Sequence, residues 1–139
     1  MSLFNVFDVS ATGMSAQSTR LNTTASNIAN AESVSSSADT VYRARHPVFA
    51  AQMQKFAGNQ QGSTGVQVLG IIESDKALQV EYSPQHPLAD KDGYIYKPNV
   101  NVIEEMTNMI SASRSYQTNV QLAESAKNML NKTLLLGQR

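Results

Sequence analysis

Apolar positions recur by fours and threes at both ends of the chain. Phe4, Phe7, Ala11, Met14, Ser18, Leu21, Ala25 and Ile28 keep this alternation, which places them on one face of a helix. Val102, Met106, Met109, Ser113, Tyr116, Val120, Ala123, Leu130 and Leu134 repeat it near the other end, interrupted only at Lys127. The pattern predicts a first helix over Leu3 to Asn30, with Ser2 as its N-cap and Asn30 in the left-handed closing position. It predicts a second helix after Asn101, whose spacing to Glu104 is that of a capping box, with Gly137 at C′.

Between these ends the period changes. Residues 33–40 are a polar, serine-rich loop. Val41 to Phe56 reads as extended, because Pro47 holds His46 away from helical angles. Gly58 to Gly65 reads as a polar turn. Val66, Val68 and Ile72 alternate around Gly70, and Leu78, Val80 and Tyr82 alternate with Gln79 and Glu81, which predicts two half-buried strands. Ser83 to Pro98 is rich in turn residues around the short run Tyr94, Ile95, Tyr96. The fold class expected is mainly α with a small β insert. Residues 1–33 and 99–139 would pair as a coiled-coil-like hairpin, and 34–98 would form the strand-and-turn insert.

Composition changes the reading of the first helix. From Ser10 to Asn30 about half the positions are Ser, Thr or Asn, and Gly13 lies inside the run. Against alanine this forfeits roughly 5 kcal/mol of intrinsic propensity. Only Asp8, Arg20 and Glu32 are charged along this end of the chain, so ion pairs return little of it. The stripe must therefore supply the stability against a partner surface, and the segment is expected to be disordered in the isolated monomer and to order on assembly.

At 139 residues the chain suits one compact domain. Eleven basic and eleven acidic residues cancel, which removes any general field favouring nucleic acid or an anionic membrane. Cysteine is absent, which excludes disulfides, thiolate metal sites and cysteine nucleophiles. The first basic residue is Arg20, so no cationic region precedes an apolar one as in a secretion signal, and no run approaches the roughly 20 apolar residues that span a bilayer.

Candidate chemistry is thin. His46 and His86 each precede a proline on separate turns and bring no further ligands with them. Asp90, Asp92 and Gly93 resemble part of a calcium loop, but Leu88 and Asn99 would then occupy its first and last positions, so the ligand set fails. Ser111, Ser113 and Ser115 lie near Arg114 and Tyr116 without a nearby histidine, a nucleophile elbow or a phosphate loop. Arg43 and Arg45 are the only close basic pair before the second helix. The expectation is a non-enzymatic protein without cofactor, metal or nucleic acid. Two helices of such length, flanked by amide and hydroxyl groups, leave more surface than a lone hairpin would cover, which favours packing among copies or relatives. The alternative is a helical adaptor that binds a partner helix without polymerising.

Ser26-Asn27-Ile28-Ala29-Asn30-Ala31, after a heptad start, resembles the N-terminal signature of bacterial flagellar rod and hook proteins. Met109 to Val120, then Lys127, Met129 and Thr133 to Gly137, resembles the matching C-terminal signature. Tyr42-Arg43-Ala44 and Pro84 to Asp90 before Gly93-Tyr94 are similar to a short member from the proximal rod. The resemblance implies a structural rod subunit, exported unfolded by the flagellar type III apparatus without a cleaved signal. It implies helical assembly into the periplasmic rod that transmits motor torque. FlgB, FliE, FlgF, FlgG and copies of the chain are the neighbours it implies.

Carried onto this sequence, the resemblance makes Asn27 and Asn30 residues that satisfy backbone where the first helix ends. Ser113, Arg114, Tyr116 and Asn119 would make polar contacts within or between subunits. Phe4, Phe7, Ala11, Met14, Leu21, Ile28, Met106, Met109, Val120, Leu130 and Leu134 would set the register of the helices and the assembly interface. Phe7→Asp or Met109→Asp is expected to stall assembly and leave export intact.

Overall fold

The computed structural model describes residues 3–52 and 65–137. Along these runs the elements are helix α1 (Leu3–Ala29), strands β1 (Arg45–Gln52), β2 (Gly65–Glu73), β3 (Gln79–Tyr82) and β4 (Tyr94–Lys97), and helix α2 (Val102–Gly137). This is a mainly helical chain with a small β region between its two helices. The expected Ser2 cap, the end of the extended run at Phe56 and most of the Gly58–Gly65 turn lie outside the described residues.

β1 and β2 form an antiparallel hairpin running from Arg45↔Glu73 to Gln52↔Gly65. Its register shifts between Val48 and Phe49, so that Val48 faces Gly70 while Phe49 faces Val68, leaving Leu69 as the extra residue of a bulge. β3 and β4 form a second hairpin in which Tyr82 faces Tyr94, their rings edge-on with centroids 5.2 Å apart. Gly93 closes it at φ 81°, and a Cβ there would come within 2.9 Å of the Tyr82 ring, so glycine is required on both counts. On its other side β4 takes a bridge from Ser35, whose N–H and C=O both pair with Tyr96.

α1 is the central element, with α2 packed along one side and the β1–β2 hairpin on another. At the hairpin Thr12 Oγ1 accepts the Val66 N–H at 3.2 Å, and Gly65 lies so close that a Cβ would stand 3.0 Å from that hydroxyl. α2 begins with the Asn101 half of the expected capping box, while the Glu104 carboxylate lies 3.7 Å from Lys76 Nζ. Asn101 Oδ1 accepts the N–H groups of Ile103 at 3.1 Å and Glu104 at 3.4 Å. Its far end differs from expectation, because Gly137 continues the helix instead of closing it in a left-handed turn.

The interior is built from small side chains. Buried apolar residues include Ala16, Val41, Ala44, Ile95, Val100, Ala112 and Ala126, whereas most of the leucines and isoleucines of the strands and of α2 are exposed. Since burying one large aliphatic side chain contributes about 1.5–3 kcal/mol, an alanine-lined core leaves the isolated chain short of stabilisation. The strands also depart from expectation. They are present, but β3 is exposed throughout and β2 almost so, because two-stranded hairpins leave a face that nothing within the chain covers.

Candidate assembly interface

Three pairings run along the antiparallel helix seam. A Cβ on Gly13 would meet the Asn119 side chain, Arg20 donates to Asn108 Oδ1 at 2.8 Å, and Asn27 donates to Glu105 Oε2 at 3.1 Å. Around them Ser10, Ala16, Thr23 and Thr24 are buried on α1, and Glu105, Ala112 and Ala126 on α2. Thr23 meets its need within its own helix, its hydroxyl donating toward the carbonyls of Thr19 and Arg20. The seam is small and polar.

This corrects the expected register. Gly13, Arg20 and Asn27 sit one residue before Met14, Leu21 and Ile28 of the apolar row. Glu105, Asn108 and Ala112 likewise sit one residue before Met106, Met109 and Ser113. One residue is about 100° of helix rotation, so both apolar rows flank the line on which the helices meet instead of lying on it. Phe4, Ala11, Met106, Arg114, Tyr116, Val120 and Leu134 are exposed, and Phe7, Met14, Leu21, Ile28, Met109, Ser113, Asn119 and Leu130 are half-buried. The physical reason is that Ala, Gly and Asn let two helices approach closely, while a bulky row would hold them apart. The closest approaches between the two helices are therefore made by small and polar side chains.

Asn27 does something its place near the helix end did not suggest. It is 0% exposed, and its Nδ2 donates to Arg45 O at 2.9 Å as well as to Glu105. Its Oδ1 accepts the Tyr42 hydroxyl at 2.9 Å and the Arg45 N–H at 2.9 Å. One amide thus ties α1 to α2 and to the first residue of β1. The Arg45 guanidinium lies 5.5 Å from the Tyr42 ring centre. Burial raises the Tyr42 pKa, Arg45 opposes that shift, and the Glu105 and Glu73 carboxylates add to it. Asn30 follows the last residue of α1 and its Nδ2 donates to Ser26 O at 2.8 Å, but it does not take the expected left-handed closing conformation, because the side-chain amide supplies the closing bond and no non-glycine among the described residues has a positive φ.

Sequence reasoning passed over Asn99. Its Oδ1 accepts the Ala44 N–H at 2.8 Å, and its Nδ2 donates to Ser74 O at 3.1 Å and Lys76 O at 2.8 Å. The Ala44–Arg45 backbone is thereby held between two asparagine side chains. Nothing but the turn residue Pro98 beside it marks Asn99 in the sequence. Ile103 and Ile110 were missed as well, although with Met106 they form a second row at helical spacing, and Ile103 is 77% exposed.

No group of acidic, histidine or cysteine side chains among the described residues is placed to hold a metal, and no helix is long and apolar enough to cross a membrane. His86 and Asp90 serve the β3–β4 turn. His86 Nδ1 accepts the Leu88 N–H at 3.1 Å, and Asp90 Oδ1 accepts the Lys91 N–H at 2.7 Å.

Comparison with known proteins bears on both helices. A family described as flagella basal body rod protein matches residues 7–34, and the C-terminal family of flagellar basal body rod FlgEFG proteins matches residues 91–136. The flagellar basal-body rod protein FlgC of Salmonella typhimurium is 46% identical over 138 residues, 99% of this chain and 100% of the relative. The corresponding protein of Escherichia coli is 47% identical over the same shares. That of Buchnera aphidicola from Schizaphis graminum is 40% identical, again over 99% and 100%. The small, polar helix seam and the outward apolar rows are thus features of a chain that belongs to the FlgC family of flagellar basal-body rod proteins.

Proposed function

We propose that this structural rod subunit uses its outward apolar rows to pack against neighbouring rod subunits, so that assembly completes a core the single chain lacks. The observation that carries this reading is the exposure of Ile103, Met106 and Ile110 along α2 while the α1–α2 seam is built from alanine, glycine and asparagine. Beyond Leu130 every described residue of α2 is exposed, including the consecutive Leu134, Leu135 and Leu136. Three successive leucines spread over about 200° of the helix surface, so covering them takes more than one partner.

In this reading the terminal helices, with residues 1–33 and 99–139, form the inner part of a helically ordered proximal rod, and residues 34–98 form the outer part. The neighbours are copies of the chain and the rod proteins FlgB, FliE, FlgF and FlgG. The subunit travels unfolded through the type III export apparatus and functions in the periplasm, transmitting motor torque without catalysis, cofactor or nucleic acid. The weak helix propensity of α1 supports that route, because little stability must be undone for transit.

The test is Met106→Asp as the only copy in cells. Met106 is 54% exposed, so the charge leaves the chain's own packing alone. The expected result is secreted subunit, rods that stop short and no swimming. Normal motility and full rods in that strain would overturn the reading.

A further inference from the structure

The seam raises a question of alignment. Helices that meet through Ala16, Ala112, Ala126 and Gly13 have few bulky knobs to choose one sliding position over another. The bulky residues of the apolar rows flank this line instead of interlocking across it. We infer that Asn27 is a register lock: it selects a single alignment of α1 on α2 and, through the same amide, fixes where the β1–β2 hairpin leaves the pair.

Every hydrogen-bonding position of the Asn27 amide is occupied. Its two N–H groups serve Arg45 O and Glu105 Oε2, and its oxygen takes the Tyr42 hydroxyl and the Arg45 N–H. With Asn27 at 0% exposure and Glu105 at 3%, water cannot substitute for a lost partner. Sliding α1 by one turn would bring Thr23 or Ala31 opposite Glu105. The Thr23 hydroxyl is already committed to Thr19 O and Arg20 O, and Ala31 has no donor side chain. Each of these four-residue slips therefore leaves a buried carboxylate unpaired and releases Tyr42 and the start of β1 together. Asn99 strengthens the link between register and hairpin, because it holds the Ala44 N–H on the other side of the same stretch. A single buried polar residue that costs stability yet specifies alignment is a known use of asparagine between helices.

The absence of cysteine makes the test clean. Gly13→Cys is combined in the full chain, as the only copy in cells, with Asn119→Cys for the observed register. Combining it with Ser115→Cys or Ala123→Cys, each in an Asn119→Ala background that keeps the new Cβ at position 13 free of a clash, reports a slip of one turn in either direction. Each pair is oxidised and read as an intramolecular cross-link on a non-reducing gel. With Asn27 and Glu105 present, only the 13–119 pair is expected to link. In the Asn27→Leu/Glu105→Leu background, which removes both polar partners without orphaning either, links to positions 115 and 123 are expected to appear beside it. A link still confined to 119 in that background overturns the inference. So does the loss of all three links, since the node would then be needed for pairing itself and not for its alignment.

Discussion

Gly13 yields its side-chain space to Asn119: a Cβ there would stand 2.9 Å from Asn119 Nδ2 and 3.2 Å from its Cγ. The residue that looks like a defect in helix α1 is therefore the place where α2 comes in. Gly13→Ala gains about 1 kcal/mol of helix propensity. It meets an overpacking cost of about 1–3 kcal/mol. The expected outcome is a net loss, read as earlier thermal dissociation of isolated rods. The double variant Gly13→Ala/Asn119→Ala should dissociate no earlier than the parent, because the clash is gone and the propensity gain remains.

Tyr42 predicts a response to alkaline pH. Its hydroxyl donates to Asn27 Oδ1, and burial holds its pKa above the ordinary 10.0. A raised folded-state pKa means that the folded form keeps its proton longer. The associated stability is complete below the unfolded value and is lost as pH rises through the folded one. Stability should fall above about pH 10 more steeply in the parent than in Tyr42→Phe, whose own cost at neutral pH is about 1 kcal/mol for one lost hydrogen bond. Comparing the two unfolding curves separates Tyr42 from the other groups that titrate in that range.

Asn99 predicts a local effect. Asn99→Ala removes the acceptor for the Ala44 N–H and the donor to Ser74 O and Lys76 O. Each group left unpaired costs about 1–3 kcal/mol if water cannot reach it. Hydrogen exchange should accelerate at Ala44 and along β1, with the amides of α2 beyond its first turn unchanged. Uniform acceleration across α2 would show that Asn99 holds more than the strand entry.

Helix α1 should be conditional. Its propensity deficit of roughly 5 kcal/mol is set against a seam made of small side chains. In dilute monomer the amides near Met14 and Leu21 are expected to exchange almost as fast as in an unfolded peptide, and to become protected once the chain is in a rod. Strong protection in the dilute monomer would refute this.

The elements were legible in the sequence because they follow from local chemistry. Period and capping placed α2, and Asn101 caps it through its side-chain oxygen. Alternation placed β2 and β3. What misled was the phase of the stripes. A four–three repeat says which residues share a face, and it is silent on whether that face meets the chain's own second helix or another molecule. In Phe4, Met106 and Val120 the apolar signal belongs to surface left uncovered, and the seam was hidden in Gly13, Asn27 and Asn108, which read as weak helix formers, and in the lone charge of Arg20.

By itself the sequence determined two amphipathic helices with strands between them, a polar composition of zero net charge, and the signatures of a rod-family chain. Those properties rest on periodicity, on composition and on residues adjacent in the chain. Only the tertiary structure decided which rows meet, that Asn27 joins α1, α2 and β1 through one amide, and that Asn99 secures the same strand entry from the far side. These choices depend on hydrogen-bonded groups separated by 18 to 88 positions in the chain, whose partners are selected by close approach and by bonds that must be satisfied once water is excluded.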